Sequence, residues 1–380
     1  MGKRILLTIL FLIAGLWLSM SAITFAETQP SIPSPNSSVA QSSSVVAKVF
    51  LPLVVGSGGA TLGSGIWLST AEVRALPMSG QAWTNLKSNA DKTIGVPNLA
   101  NQDDTTNILV LARALVYVRT GDTQYRDSVL TALHSIENGG TYNGRALALG
   151  RELAAYVIAA DLIGYRSTAF IAKVRELRNT PTSDGPTSLV DCHEKRPNNW
   201  GTMCGASRIA VDLYIGDTVD LDRAATILQG YLGDRMAYAA FEYGDVASWV
   251  CNSSELRPIN PVGCVKDGHD LSGAPVDDVR RGGSYSWPPN STAYSWGGFS
   301  GAVAQAEMLS RAGYPAYDWE NRAVWRGMTF LQNAMPSSES SPTEWMPWVV
   351  NHHYGTNFVT TSPIGMGRLV NWTDWTHLHP

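Results

Sequence analysis

The chain has 380 residues, of which 44% are hydrophobic and 16% charged, and its net charge is −4. This composition is typical of a globular protein with a sizeable core and excludes a wholly disordered chain. A slightly acidic chain without a basic tract is not expected to bind nucleic acid.

The N-terminus has the pattern of a secretory signal peptide over residues 1–26. Two basic residues precede an apolar run at 5–18, and Thr24-Phe25-Ala26 resembles a cleavage site. The run is short for a membrane span, so we expect cleavage and a secreted protein, extracellular or periplasmic, without a membrane anchor. An uncleaved N-terminal anchor is the alternative. Residues 27–65 are rich in Ser, Pro and Gly and predict a disordered linker, followed by one folded domain over 66–380.

Four pairs of helices are predicted along the folded part of the chain. Apolar residues recur at helical spacing, and glycine marks the elbow of each pair. This plan predicts an all-α fold, specifically an (α/α) toroid, an incomplete barrel of helical hairpins. The predicted pairs are 105–119 with 124–137, 145–163 with 168–178, 200–215 with 220–232, and 298–311 with 319–333.

Two long segments lack helical periodicity, residues 233–295 and the region from 336 onward. Long irregular segments within a compact domain are usually functional. We therefore expect both segments to fold over one face of the helices and to form a cleft there. Many of the 13 Trp lie in these segments, where a flat ring can stack on a sugar.

The four cysteines predict two disulfides in a secreted chain. The pairings with short loops are Cys192 with Cys204 and Cys251 with Cys264, although the sequence leaves three connectivities open. The cysteine spacings do not suit a zinc site. Neither a metal nor a cofactor is expected.

Two polar clusters contain residue types that suit acid–base chemistry on an anionic substrate. Asn198 and Asn199 open a predicted helix, and helix N-termini favour anions. The second cluster is Asn351-His352-His353-Tyr354-Gly355. Amides that hold a carboxylate, together with a His and a Tyr that move protons, are the groups that a uronic-acid polysaccharide lyase needs.

Four motifs and the hairpin plan resemble the alginate-lyase-like superfamily of secreted proteins, in its alginate and glucuronan lyase branch. The motifs are RPNNWG at 196–201, DDVRRGGSYSWPP at 277–289, WVVNHHYGT at 348–356 and the terminal NWTDWTH. The resemblance covers the chain from about residue 67 and implies an (α/α) toroid that cleaves uronic-acid polysaccharides by β-elimination. A typical alginate lyase of this fold has Asn-Asn-His where this chain has Trp200, so any catalytic His is expected from elsewhere.

The resemblance and the chemistry together suggest a role for each candidate residue. Asn199 would neutralise the substrate carboxylate, helped by Arg281 or Arg280, and His352 would be the base, with Tyr354 or Tyr294 as alternatives. A tyrosine would protonate the leaving oxygen. The expected substrate-binding residues are Asn198, Trp200, Arg280, Tyr285, Trp287 and His353.

Two other functions remain open at the level of sequence. One is a glycoside hydrolase, which needs two carboxylates across a cleft and has the candidates Asp103, Asp104, Asp277, Asp278 and Glu344. The other is a secreted carbohydrate-binding protein without activity. The expected partner is an anionic polysaccharide substrate, and a monomer is expected. The sequence leaves the uronate polymer and the endo or exo mode undecided.

Overall fold

The computed structural model describes residues 65–139, 142–336 and 341–378. Contacts divide the chain into two units, Met1–Val55 and Gly56–Pro380, and every described residue belongs to the second. The predicted signal peptide and all but the last residue of the predicted linker lie outside the described residues.

The described residues form an all-α fold, with one short β-hairpin in which β1 (Val265–Lys266) pairs antiparallel with β2 (His269–Asp270). None of the helices in this part of the chain is long and apolar enough to cross a membrane. The helices are α1 (Thr70–Ala75), α2 (Gln81–Ala90), α3 (Thr106–Thr120), α4 (Thr123–Glu137), α5 (Ala146–Leu162), α6 (Thr168–Asn179), α7 (Leu189–Lys195), α8 (Asn199–Ile215), α9 (Thr218–Leu232), α10 (Val276–Val279), α11 (Ala293–Arg311), α12 (Trp319–Ala334), α13 (Met346–Tyr354) and α14 (Thr373–Thr376).

The four predicted hairpins are confirmed as α3–α4, α5–α6, α8–α9 and α11–α12. Glycine ends α3 and α8 because the chain turns there in the left-handed region, with φ of 78° at Gly121 and 72° at Gly216. Asp122 and Asp217 then cap the returning helices α4 and α9 with their side chains.

The first helices of the later hairpins lie side by side and run parallel. A Cβ added at Gly150 of α5 would lie 2.9 Å from the backbone of Cys204 on α8, and one turn later Ala154 N donates to Ser207 Oγ at 3.0 Å. Helix α11 follows α8 in the same sense, since Gly298 lies against Asn199 and Gly301 against Thr202. The N-termini of α5, α8 and α11 therefore lie at one end of the domain. These helices are buried along almost their whole length.

Three of the second helices pack on the first helix of their own hairpin, α4 on α3, α9 on α8 and α12 on α11. Helix contacts continue from α11 through α13 and α14 to α2, and from α2 back to α3. Near this junction Trp372 Nε1 donates to the carbonyl of Ile108 at 3.3 Å, and Asn85 Nδ2 donates to that of Ile364 at 3.0 Å. The all-α prediction is confirmed, whereas the toroid stays a prediction.

The cysteines follow the predicted pairing only in part. Cys251 and Cys264 form a disulfide within the irregular segment. Cys192 on α7 and Cys204 on α8 are buried free cysteines whose sulfur atoms lie 2.7 Å apart, so the structure does not contain the predicted second disulfide. Burial raises the pKa of the Cys204 thiol well above its usual range, and a protonated buried thiol packs as a small hydrophobic group.

Candidate functional site

The candidate site is built on the N-terminus of α8. Asn198 is the N-cap, and its side-chain Oδ1 accepts from Trp200 N at 3.1 Å. Asn199 is the first residue of the helix, and its residue surface is only 2% exposed. The Asn-Asn pair is thus divided between one amide that caps the helix and one that is not needed for capping.

Two buried aspartates from α10 hold this helix end in place. Asn198 Nδ2 donates to Asp277 Oδ1 at 2.8 Å, and the backbone N–H of Asn199 donates to Asp278 Oδ1 at 3.1 Å. Both aspartates are fully buried. The carboxylates take the place of the missing partners of the helix N-terminus, and they join α8 to the segment that carries Arg280 and Arg281.

Arg280 completes the environment of Asp277. Its Nε donates to Asp277 Oδ2 at 3.0 Å and its Nη2 to Oδ1 at 3.2 Å, while Gly244 N donates to Oδ2 at 2.8 Å. A Cβ at Gly244 would lie 2.0 Å from Arg280 Nη2, so only glycine lets the guanidinium lie against this backbone. Arg280 is therefore occupied by Asp277, in contrast to its predicted role in substrate binding.

Asp278 has a different environment from that of its neighbour. Its Oδ2 is buried and has no hydrogen-bond partner among the described residues, and the same is true of Asn199 Oδ1. Burial raises the pKa of Asp278 well above its usual range, because an ionised carboxylate is poorly solvated there. Burial therefore favours the uncharged carboxyl of Asp278 over the carboxylate.

Arg281 and Tyr294 lie next to this helix end. The Arg281 guanidinium carbon is 4.0 Å from the centroid of the Tyr294 ring, and Tyr294 is 42% exposed. Tyr294 precedes Gly298 by four residues on α11, which places both on one helix face, and Gly298 lies against Asn199 and Asp278. Arg281 and Tyr294 thus lie at the end of α11 that packs against Asn199 and Asp278.

Three aromatic residues that were predicted to bind substrate differ in how accessible they are. Trp200 is partly buried against the core. Tyr285 packs on Trp249, and its hydroxyl donates to the carbonyl of Lys266 at 3.0 Å. Trp287 is 38% exposed and stacks on His269, with ring centroids 4.4 Å apart. Of the three, Trp287 presents the most accessible ring to a ligand.

The C-terminal cluster does not join this site. His352 Nδ1 lies 2.9 Å from the carbonyl oxygen of Leu378, His353 stacks on Tyr317 at 3.6 Å, and the Tyr354 hydroxyl donates to the carbonyl of Tyr317 at 2.6 Å. Burial also raises the pKa of Tyr354, which disfavours the tyrosinate that a base would require. These side chains are used to dock α13 on its neighbours.

The position of Tyr317 shows which end of α11 this cluster occupies. Its hydroxyl donates to Glu307 Oε2 at 2.8 Å, and Glu307 follows Gly298 by nine residues on α11, or roughly 13 Å of helix. The prediction that His352 or Tyr354 acts at the same substrate atom as Asn199 is therefore wrong in its geometry. The motifs at 196–201 and 348–356 therefore pack near opposite ends of α11.

The carboxylates that a hydrolase would need are largely occupied. Asp277 and Asp278 are fully buried, and Glu344 Oε2 accepts from Gly365 N at 2.6 Å. Asp104 accepts from the backbone N–H groups of residues 98, 105 and 106 at the start of α3. Asp103 is exposed but is bound by Arg368 at 2.6 Å.

Sequence reasoning missed two features of this end of the domain. It considered Asp277 and Asp278 only as hydrolase carboxylates and not as anchors of the α8 N-terminus. The DDVRR motif gave a signal for their pairing with arginine, because acids and arginines at this spacing often pair. It also missed Arg145, Arg151 and Arg368, which meet near Asp103. The signal for Arg151 was a charge within an otherwise apolar helical run.

No protein-family model matches this chain, and no curated protein is significantly similar to it. The resemblance of its motifs to the alginate-lyase-like superfamily therefore stays a prediction.

Proposed function

We propose that this protein is a secreted polysaccharide lyase that cleaves a uronic-acid polymer of the alginate or glucuronan type by β-elimination. The observation that carries the proposal is the convergence of Asn199, Arg281 and Tyr294 at the end of the domain where the parallel helices α5, α8 and α11 begin. We interpret the circuit of helix contacts as the (α/α) toroid of that superfamily. An extracellular or periplasmic location is supported by the Cys251–Cys264 disulfide.

Neutralisation of the substrate carboxylate is the first task in this mechanism. The proton on C5 of a uronate becomes acidic only when charge can flow into the C6 carboxylate, and fixed donors stabilise that enolate-like charge. The Asn199 side-chain nitrogen and the Arg281 guanidinium make no hydrogen bond to a described residue. Both therefore have hydrogen-bonding capacity left for the substrate carboxylate.

Proton transfer is the second task, and we assign it to Tyr294. Its hydroxyl makes no hydrogen bond to a described residue and its ring is exposed beside Arg281. In its tyrosinate form one tyrosine can take the C5 proton, and the hydroxyl so formed can donate that proton to the C4 oxygen as the C4–O bond breaks, when both groups lie within reach. Tyr294 was the expected alternative to His352 as the base, and it is preferred here because His352 packs near the other end of α11.

The charges around Asn199 also favour an anionic substrate. The charge of Asp277 is matched by Arg280, and burial favours the uncharged form of Asp278. Arg281 forms no ion pair with a described residue and lies over the ring of Tyr294, so it can attract a carboxylate. No cofactor takes part in the proposed reaction, and we propose that a monomer carries it out.

The test is an ultraviolet assay on a panel of alginate, polymannuronate, polyguluronate, glucuronan and glycosaminoglycans. Elimination leaves an unsaturated uronate that absorbs, whereas hydrolysis does not. We expect absorbance to rise on one uronate polymer. In Asn199→Ala the rate of that rise should be about 100- to 1,000-fold lower, the typical loss for one donor to a developing oxyanion. Tyr294→Phe is expected to be at least as impaired.

Tyr285→Phe is the matched control, because the Tyr285 hydroxyl is bound to the Lys266 carbonyl and should not affect the rate. New reducing ends without absorbance would identify a hydrolase instead. Binding without either product would identify a carbohydrate-binding protein.

A further inference from the structure

Three arginines meet at the start of α3 and α5. Arg368 Nη2 and Arg151 Nη1 approach the same oxygen, Asp103 Oδ1, at 2.6 and 3.5 Å. Arg145 Nη2 donates to Gln102 Oε1 at 2.8 Å, and the Gln102 carbonyl accepts from Arg151 Nη1 at 3.3 Å. Three guanidinium groups therefore share two adjacent residues of one loop.

Arg151 is the least compensated of the three. It is 8% exposed, and its contacts are long: 3.3 Å to a carbonyl, 3.5 Å to Asp103 and 3.3 Å from Nε to the sulfur of Met203. Burial, followed by repulsion from Arg368, lowers the pKa of Arg151 to about 10. A buried cation normally requires a close anionic partner, and the carboxylate that Arg151 reaches, Asp103, lies 3.5 Å away and binds Arg368 more closely, at 2.6 Å.

The nearby acids do not supply the missing charge. Asp103 is shared between two arginines. Both oxygens of Asp104 accept hydrogen bonds from the chain around the start of α3. Glu152 is 1% exposed, its Oε2 has no partner among the described residues, and burial raises its pKa well above the usual range, which favours its uncharged form. The three arginines outnumber the two aspartates of the loop, Asp103 and Asp104.

This cluster lies beside the proposed catalytic residues. Arg151 Nε contacts Met203, and Met203 follows Asn199 by four residues on α8. Residues at this spacing share a helix face, with Cβ atoms about 5–6 Å apart. Arg145 is the N-cap of α5, at the same end of the domain as the first residue of α8.

We propose that Arg145, Arg151 and Arg368 form a second anion subsite, which binds the carboxylate of the uronate that adjoins the one held at Asn199. The inference rests on the proposed function and adds to it the residues that hold the neighbouring sugar. An enzyme with two adjoining carboxylate sites is specific for polymers in which uronates follow one another. Polymers in which each uronate alternates with a neutral or amino sugar should be poor substrates.

The experiment compares Arg368→Gln and Arg145→Gln with Arg223→Gln as control. Arg223 lies on α9, is half exposed and pairs with Glu194, so its loss removes the same charge elsewhere. Arg151→Gln is added, but the two partly exposed arginines carry the test if that variant does not fold. For each protein, KM and kcat are measured on a contiguous polyuronate, and the dissociation constant of an oligouronate is measured by calorimetry.

We expect KM and the dissociation constant to rise about 10- to 100-fold in Arg368→Gln and Arg145→Gln, as for the loss of a charge-assisted hydrogen bond. The control should match the wild type. High salt should reduce the difference in KM and dissociation constant between the two variants and the wild type.

Turnover with unchanged KM and binding in both variants would overturn the subsite while the proposed function stands. If no protein shows turnover but the variants bind the oligouronate more weakly than the wild type, the anion subsite is supported and the lyase proposal is overturned. Neither turnover nor binding would overturn both.

Discussion

Asn198 and Asn199 are adjacent, yet their hydrogen bonds give them separate tasks. Asn198 uses its side chain to cap α8 and to bind Asp277. Asn199 donates its backbone N–H to Asp278, so its side-chain amide is not used in this contact. A substitution at Asn199 therefore keeps the anchor of the helix, so that a loss of activity there reports on the side chain itself.

Asp278→Asn should reveal the raised pKa of this buried acid through a pH-dependent change in stability. The folded-state pKa is raised above the unfolded value, which is about 3.9. The stability that the neutral carboxyl contributes is fully present below about pH 4 and is lost as pH rises toward the folded pKa, because only the unfolded state then ionises. Asparagine has the same shape and does not titrate.

We expect Asp278→Asn to gain stability relative to the wild type between pH 5 and pH 8, by up to about 1.4 kcal/mol for each pH unit. Urea denaturation at the two pH values measures the difference. An unchanged difference between variant and wild type would mean that Asp278 is ionised in the folded protein.

At the scale of elements, the approach of α11 to α8 depends on particular glycines. A Cβ at Gly298 would lie 1.9 Å from Asp278 Oδ2 and 3.1 Å from Asn199 N, and one at Gly301 would lie 2.5 Å from the backbone of Thr202. Gly297 differs, since a Cβ there would meet only Met203 Cε, at 3.6 Å. Close packing at Gly298 is what brings Tyr294 near the start of α8.

Gly298→Ala should therefore destabilise the protein by about 1–3 kcal/mol, as overpacking does, and should lower the elimination rate by displacing Asn199. Gly297→Ala is the matched control on the same helix turn. It should be neutral or stabilising by up to about 1 kcal/mol, because alanine is the better helix former. Urea denaturation measures the free energy of unfolding of both variants. Equal values would show that the packing of α11 on α8 does not require glycine at position 298.

These elements also show what the sequence could and could not predict. The hairpins were predictable because apolar periodicity and glycine elbows are local signals, as at Gly121 and Gly216. The assembly of the site was less so, since the pairing of Asn199 with Asp278 joins residues 79 positions apart. His352 was misplaced because a motif reveals residue types, whereas packing on Tyr317 decides where α13 lies.

At the scale of the whole molecule, the C-terminal segment ties the last helices to the first. Trp372 and Trp375 are each 1% exposed. Trp372 Nε1 donates to the carbonyl of Ile108 in α3. Trp375 packs on Trp83 with ring centroids 5.3 Å apart, and its Nε1 donates to the carbonyl of Pro77 at 2.8 Å. Residues nearly 300 positions apart thus share one hydrophobic core, so the described helices should unfold together.

Trp375→Ala should consequently lower the free energy of unfolding by about 3–5 kcal/mol, the usual cost of truncating a buried tryptophan. Trp287→Ala is the control, because the Trp287 ring is 38% exposed and stacks only on His269 among the described aromatic rings, so its loss should change stability by no more than about 1.5 kcal/mol. Urea denaturation gives both values, and hydrogen exchange shows whether amides of α3 and α11 open together. Since the circuit of contacts links these helices through α13, α14 and α2, Trp375→Ala should lower protection in both by the same free energy. Loss of protection in α3 alone would mean that the C-terminal segment is a local clamp and that the helices do not form one cooperative ring.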